Sequence, residues 1–381
     1  MLIGSNIRNV KKVELSKLAY PVLFAHVGVG DYTNLDEAIA IERKKIQGAI
    51  ELGVDVICDV SMSNNMRYVH EKLLEGFDIP FGTVTAYEAY IESEKDDLIY
   101  EEKNFIKLFL EEVLRGFDII TIHATVFKDD RKLINNSKRL ISTTSRGGML
   151  MLKMMEKNNY ENPFYTHFDE ILDICKKYDV CISLGPCYRP ASVCDCNPND
   201  ELTLLELKRM GLLCKKAIDK GVGITIEGIG HAPLNLIKPM IELALQMCYD
   251  VPYRVMTVST DIALGYDHIA SAIASANAIY NGASSVTAVS RMEHLGIPTY
   301  EDTLEAIKAA KVAIYSGYIA RTNDLKRDRV MSVAREVSGC IGHIPSTLFP
   351  NEPLKTNKRN NKSCSMCGEY CPLNELNGDD N

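Results

Sequence analysis

The sequence predicts an α/β protein: a (β/α)8 TIM barrel followed by a C-terminal helical arm and a cysteine-bearing tail. Three observations predict it. Eight short β-branched runs alternate with longer amphipathic stretches, the rhythm of parallel strands joined by helices. Polar and ionisable residues recur where those runs end. Beyond residue 320 the alternation stops, and three cysteines crowd together near the end.

The runs read as strands are Val22–Val27, Val54–Val60, Phe81–Thr85, Asp118–His123, Val180–Leu184, Gly223–Glu227, Arg254–Val258 and Ser285–Val289. Helical periodicity fills the intervals at Leu35–Leu52, Glu101–Arg115, Phe164–Tyr178, Glu201–Lys220, Leu234–Met247, Tyr266–Tyr280 and Tyr300–Ala320. Asn34 and Asp200 are positioned as N-caps, Gly53 and Gly221 as terminators. The stretch after Tyr87 and the loop Phe127–Gly148 read as insertions. A doubly wound open sheet shares this alternation. No G-x-G-x-x-G follows the first strand, however, since Gly28-Val-Gly30 is too short, and the barrel is favoured. The expected organisation is an N-terminal segment (1–20), a barrel (21–320) and a C-terminal arm and tail (321–381). In the last of these, Asp324–Val337 is basic and helical, and Pro345, Pro350, Pro353 and a KTNKRNNK linker follow.

The 381 residues carry a net charge of -8, which argues against a nucleic-acid surface. No apolar run approaches the roughly 18 residues that span a bilayer. The first residues show no secretory pattern, so a cytoplasmic location without a membrane partner is expected. Twelve cysteines in such a chain are not expected to form disulfides.

Barrel active sites lie where strands end, and there the sequence places His26, Asp59-Val-Ser61, Tyr87, His123, Gly185-Pro-Cys-Tyr-Arg189, Glu227-Gly-Ile-Gly-His231, Asp261 and Arg291-Met-Glu-His294. Each alone is compatible with a satisfied strand end; together they predict a polar catalytic mouth. Ser145-Arg146-Gly147-Gly148 precedes an apolar helix and could offer backbone N–H groups and an arginine to a phosphate. An ordinary glycine turn is its bland alternative. Arg189 could form a bidentate fork to phosphate or carboxylate, or a surface salt bridge. His231 and His294 could bind a divalent metal, though two histidines so far apart also occur by coincidence. His123, Glu227 and His268 are candidates by position for acid or base work. Cys364-Ser-Met-Cys367-Gly-Glu-Tyr-Cys371 has the spacing to hold three irons of a [4Fe–4S] cluster. A structural zinc is equally compatible with the spacing, although it would need a fourth ligand.

The residues that carry a family resemblance are Thr121-Ile-His-Ala124, Ser145-Arg-Gly-Gly148, Glu161-Asn-Pro-Phe-Tyr165, His167-Phe-Asp-Glu170, Tyr188-Arg-Pro190, Ile226-Glu-Gly-Ile-Gly-His-Ala-Pro233, Thr260-Asp-Ile-Ala263, Gly265-Tyr-Asp-His-Ile269, Glu293-His-Leu-Gly-Ile-Pro298 and Cys364-Ser-Met-Cys367-Gly. In that order they resemble the phosphomethylpyrimidine synthase (ThiC) family, including its paralogue, 5-hydroxybenzimidazole synthase of anaerobic cobamide biosynthesis. The resemblance implies a radical S-adenosylmethionine enzyme acting on 5-aminoimidazole ribotide, with a [4Fe–4S] cluster on Cys364, Cys367 and Cys371. It implies a mononuclear zinc or iron on His231 and His294. Ser145, Arg146, Gly147 and Gly148 would meet the phosphate, and Cys58, Tyr87, His123, Arg189, Glu227 and Tyr266 would surround the substrate. A homodimer, or a heterodimer with a paralogue, and an electron-donor protein are implied as partners.

The chain departs from the family pattern at the rim. G-D-G-L-R-P reads Gly185-Pro186-Cys187-Tyr188-Arg189-Pro190, N-x-N-x-G reads His26-Val-Gly28-Val-Gly30, and Cys58 stands where the family has methionine. G-P-G-H reads Gly228-Ile229-Gly230-His231, and the last cysteine gap is one residue short. The family's amino-terminal portion is missing. A benzimidazole product is therefore expected, with the thiamin pyrimidine as alternative. A catalytically weak partner subunit and a zinc-stapled hydrolase are the rivals from other classes.

Overall fold

The computed structural model describes residues 1–30, 34–95, 100–338, 347–350, 358–359 and 363–373. It divides into two compact units, Met1–Gly317 and Tyr318–Asn381.

The first unit begins with a small antiparallel hairpin, β1 (Leu2–Ile3) and β2 (Val13–Glu14). The barrel strands follow: β3 (Val22–Val27), β4 (Val56–Asp59), β5 (Phe81–Val84), β6 (Ile119–Ile122), β7 (Cys181–Leu184), β8 (Ile224–Gly228), β9 (Tyr253–Val255) and β10 (Ser285–Thr287). They are all parallel, and β10 pairs with both β9 and β3, closing the barrel. Strands covered on both faces need continuous apolar runs, which is why all eight were readable.

The helices of this unit are α1 (Leu35–Glu51), α2 (Met66–Leu74), α3 (Thr85–Ser93), α4 (Glu102–Arg115), α5 (Arg131–Asn135), α6 (Arg146–Asn158), α7 (Pro163–Thr166), α8 (Phe168–Tyr178), α9 (Glu201–Lys220), α10 (Leu234–Met247) and α11 (Asp267–Tyr280). α12 (Tyr300–Thr322) runs across the division. The expected caps form: Asn34 accepts from Glu37 N–H, and Asp200 from Thr203 N–H. Gly221 closes α9 in the left-handed region, at φ +72°.

Three segments differ from expectation. The stretch after Tyr87 is largely α3, and the insertion Phe127–Gly148 contains α5 and the start of α6. The expected helix over Phe164–Tyr178 is broken at His167. There the backbone leaves helical geometry at φ -103°, ψ 22°, after Asn162 has capped α7. One apolar face continues across the break, so periodicity alone hides it.

The N-terminal hairpin plugs the amino-terminal end of the barrel. Ile3 and Leu15 are fully buried and pack with Val22, Phe24, Val56, Cys58, Ile119 and Cys181. Asp118 ties plug to barrel, accepting from Ser5 N–H at 2.7 Å and Phe81 N–H at 2.9 Å. With this end sealed, the open end lies at the strands' carboxyl termini.

The second unit contains α13 (Lys326–Ser338). Its other elements are a short hairpin of β11 (Lys358–Arg359) with β12 (Ser363–Cys364), and a 3-10 turn at Gly368–Tyr370. Most of the expected proline-marked arm and linker lies outside the described residues. Among the described residues no helix is long and apolar enough to cross a membrane.

Candidate active site

A cavity of about 530 Å3 opens at the carboxyl ends of the strands. Parallel register brings its floor together. His26 on β3 is level with Cys58 on β4, Thr121 on β6 with Ser183 on β7, and Glu227 on β8 with Arg254 on β9. Of the expected site residues, Cys58, Tyr87, His123, Ser145, Arg146, Gly147, Arg189, Glu227 and His294 line this cavity.

One end of the cavity combines a helix start with two arginines, Arg146 and Arg189. Ser145 caps α6, its Oγ accepting from Gly148 N–H at 3.1 Å. Among the described residues nothing accepts from the earlier N–H groups of the helix, and a helix start attracts negative charge. Gly148 is thus consumed by the cap and does not line the cavity; a Cβ there would lie 2.8 Å from Cys187 Cα. Arg146 extends over the Tyr87 ring, 5.4 Å from its centroid. Arg189 follows β7 in a loop tied down by Glu206, whose carboxylate accepts from Cys187 and Tyr188 N–H. Arg189 Nε is buried without a hydrogen-bond partner among the described residues. Such a donor is costly unless a ligand satisfies it.

His123 stands between the anion end and the floor. A Cβ on Gly147 would fall 2.2 Å from His123 Cε1, and one on Gly185 would fall 2.7 Å from Nε2. The ring is therefore sandwiched between two glycines and needs both. Its Nδ1 has no hydrogen-bond partner among the described residues. Burial holds the imidazole down to about 4, with Glu227 opposing and Arg189 assisting. His26 is likewise held to about 4, by burial and then by Arg254. Both are neutral at physiological pH.

Burial alone would raise the Glu227 carboxyl, but Arg254, Ser183 and His123 bring it to about 2. Glu227 is therefore an ionised hydrogen-bond acceptor at neutral pH rather than a proton donor. Burial pushes the Cys58 thiol up despite Arg254.

His231 and His294 face one another with ring centroids 5.0 Å apart. His231 Nδ1 lies 2.7 Å from Asp261 Oδ1, and His294 Nδ1 lies 3.0 Å from Asp267 Oδ1. A carboxylate on Nδ1 fixes the ring and leaves Nε2 for a metal. Gly230, at φ +87°, admits the turn to His231; a Cβ there would meet Arg189 Cγ at 2.3 Å. Among the described residues no cluster of three or more His, Cys, Asp or Glu could hold a metal. The two imidazoles would thus supply only part of a coordination sphere.

Two expected residues fall elsewhere. Tyr266 is largely exposed and outside the cavity lining. His268 is buried behind it, with Nε2 3.4 Å from Glu305. In the second unit Cys367 is exposed and Cys371 half-buried; the Cys364 side chain lies outside what is described. Among the lining residues that sequence reasoning missed are Arg254, Thr121 and the buried pair Glu42 and Lys45 on α1, joined at 2.6 Å. A cation opening a β-branched run, and an i,i+3 ion pair on an apolar helix face, were the available signals.

The radical SAM ThiC family matches residues 25–378. A phosphomethylpyrimidine synthase of Carboxydothermus hydrogenoformans is 37% identical over 346 residues, 88% of this chain and 80% of that one. Another, of Thermoanaerobacter pseudethanolicus, is 35% identical over 92% of this chain and 82% of its own length. Among solved structures, a dihydropteroate synthase from Coxiella burnetii aligns at 12% identity and TM-score 0.45, covering 81% of this chain and 96% of its own. By the extent of the family match and the identity to these synthases, this chain belongs to the radical SAM ThiC family.

Proposed function

We propose that the chain converts 5-aminoimidazole ribotide into a benzimidazole, such as 5-hydroxybenzimidazole, for a cobamide lower ligand. The observation that carries this reading is that three departures from the family pattern, His26, Cys58 and Pro186, line one cavity with an intact anion end. Phosphate recognition is kept while the surface around the remainder of the substrate is changed. Family membership implies a [4Fe–4S] cluster and S-adenosylmethionine. Bound together, these would supply the one-electron chemistry for hydrogen abstraction from the substrate.

The chain's own part is binding and orientation. The start of α6, with Arg146 and Arg189, would take the phosphate. Glu227 would accept from a hydroxyl or amine, and neutral His26 and His123 could each donate or accept one hydrogen bond. Cys364, Cys367 and Cys371 would hold the cluster. His231 and His294, each backed by a carboxylate, would hold a divalent zinc or iron whose remaining positions are filled from outside the protein. The other partners are an electron donor and a second subunit, either another copy or a paralogue.

The thiamin pyrimidine is the second reading, favoured by the names of the relatives. Anaerobic reconstitution with iron, sulfide, reductant, S-adenosylmethionine and the ribotide, with products identified by mass spectrometry, separates the two. A benzimidazole supports the proposal; a phosphorylated pyrimidine replaces it. If loaded protein forms only 5′-deoxyadenosine, the substrate assignment fails, and complete inactivity favours a non-catalytic subunit. Pro186→Asp should shift the product distribution; an unchanged product and rate would remove that position from the argument.

A further inference from the structure

Glu227 is engaged through one oxygen. Its Oε1 accepts from Thr121 Oγ1 at 3.1 Å, from Ser183 Oγ at 2.6 Å and from Arg254 Nη2. No described residue donates to Oε2, which belongs to a side chain lining the cavity. Arg254 is the neighbour that fixes this arrangement. It is 3% exposed, lies level with Glu227 on the adjacent strand, and places its guanidinium 4.5 Å from the centroid of the Phe24 ring. Its other terminal nitrogen donates to Cys58 Sγ at 3.3 Å. A planar fork stacked on a ring and tied at both ends has little freedom left.

We propose that Arg254 is a positioning residue for substrate. It locks Glu227 through Oε1 so that Oε2 is presented as a fixed, ionised acceptor for a hydroxyl or amine N–H of the ribotide, and it holds the Cys58 thiol in the same floor. The ligand class rests on the ribotide reading above; the lock on Glu227 does not.

The charges around Glu227 agree. It is faced by His26 from β3, Cys58 from β4, Tyr87 from α3, His123 after β6, Ser183 from β7 and Arg254 from β9. Both imidazoles are held to about 4, mainly by burial. Burial also raises Cys58 and Tyr87, so all four are neutral near pH 7. Arg254 is the cation in contact; Arg146 and Arg189 belong to the anion end. Without Arg254 the largest opponent of burial is lost, and the carboxyl keeps its proton to a higher pH. A carboxylate needed in ionised form binds above its pKa and fails as pH falls through it. Raising that pKa therefore moves the loss of binding to higher pH.

The test uses the full chain as wild type, Arg254→Met and Arg254→Lys. Ribotide binding is measured by calorimetry across neutral pH, and the Glu227 carboxyl is read by infrared difference against Glu227→Gln. The ratio of wild-type to Arg254→Met affinity should grow by up to about tenfold per pH unit as pH falls; titration of the ligand phosphate cancels in that ratio. Arg254→Lys should keep the carboxylate ionised and the ratio flat, with affinity about tenfold weaker because a point charge replaces the fork. Infrared should show a protonated carboxyl in Arg254→Met at mildly acid pH and a carboxylate in wild type. A flat ratio with an ionised carboxyl in Arg254→Met overturns the proposal. If Arg254→Met does not fold, Arg254→Lys decides, and parental affinity in it refutes the positioning role. If wild type does not bind ribotide, the ribotide reading fails and the infrared comparison alone judges Arg254.

Discussion

Replacing Gly147 by alanine tests whether the anion end and His123 are one mechanical unit. A methyl at this position would lie 2.2 Å from Cε1, 2.4 Å from Nδ1 and 2.6 Å from Nε2 of His123. Relaxed carbon contacts sit at about 3.5 Å or more, so something must move by roughly 1 Å. The ring cannot retreat, because Gly185 closes its other face and Asn162 Nδ2 holds its backbone carbonyl at 2.9 Å. Overpacking of this kind costs about 1–3 kcal/mol. Against it, alanine in a helix gains up to about 1 kcal/mol over glycine, less in a first turn. The net loss of stability is therefore small, and melting temperature is a weak reporter. Binding is the decisive one. A shift of about 1 Å in a positioned group can cost up to about 10²-fold, because the N–H groups at the start of α6 and the imidazole are displaced together. We expect Gly147→Ala to bind the ribotide at least roughly tenfold more weakly by calorimetry, while circular dichroism shows an intact fold. Parental affinity with raised stability would show that His123 does not rest on the first turn of α6, and the site as described would be wrong.

Cys367→Ala should prevent iron and sulfide from loading and abolish S-adenosylmethionine cleavage, with the barrel melting unchanged; full iron and sulfide content would refute the cluster assignment. Asp261→Asn should weaken zinc or iron(II) binding by about 10–100-fold, and unchanged calorimetric affinity would remove the His231 and His294 pair as a metal site. Ile3→Ala empties part of the plug and should cost about 2–5 kcal/mol in urea unfolding. His123 is held to about 4 against its ordinary 6.5, so its contribution is complete above pH 6.5 and is lost as pH falls towards 4. Between pH 7.5 and 5, His123→Gln should remove about 2 kcal/mol of acid destabilisation, provided His123 stays neutral in the fold.

The barrel was legible because its strands are buried on both faces and because helices such as α1 and α9 open on capping residues, Asn34 and Asp200. What escaped notice lacks those signals. α2 has no side-chain N-cap bond, and α3 begins directly at the end of β5, with Val84 in the cap position. The plug is two residue pairs with no period to detect. The site was readable where a side chain ends a strand, as for His123 and Glu227, or follows a distinctive turn, as for Ser145–Gly147 and Arg189. It was not readable where burial reverses the usual meaning of a charge. Glu42 and Lys45 resemble a solvated helix face, yet their side chains are 1% and 2% exposed. Arg254 resembles a strand's polar start, yet it sits in the lumen because Glu227, one strand earlier, is its partner. Tyr266 and His268 lie outside the cavity lining, Tyr266 largely exposed before α11 and His268 buried beside Glu305.

Cysteine chemistry distinguishes the tail from the barrel without any cofactor. Burial pushes the Cys181 and Cys187 thiols up to about 12 and Cys196 to about 11, and it raises Cys175 as well. At pH 8 a thiol near 12 is ionised to only about one part in 10⁴, against roughly a quarter for an ordinary thiol, and the thiolate is the form that reacts. Burial also closes the path of a reagent to these sulfurs. Cys367, by contrast, is exposed and Cys371 half-buried. Iodoacetamide applied to the folded, iron-free chain should therefore modify the tail at least about 10³ times faster than Cys181 or Cys187, as read by peptide mass spectrometry over time. Loading iron and sulfide should then protect the tail and leave the exposed Cys194 reactive. Equal rates at Cys181 and Cys367 would mean that the barrel opens on the labelling timescale, and protection of Cys194 alone would place the cluster elsewhere.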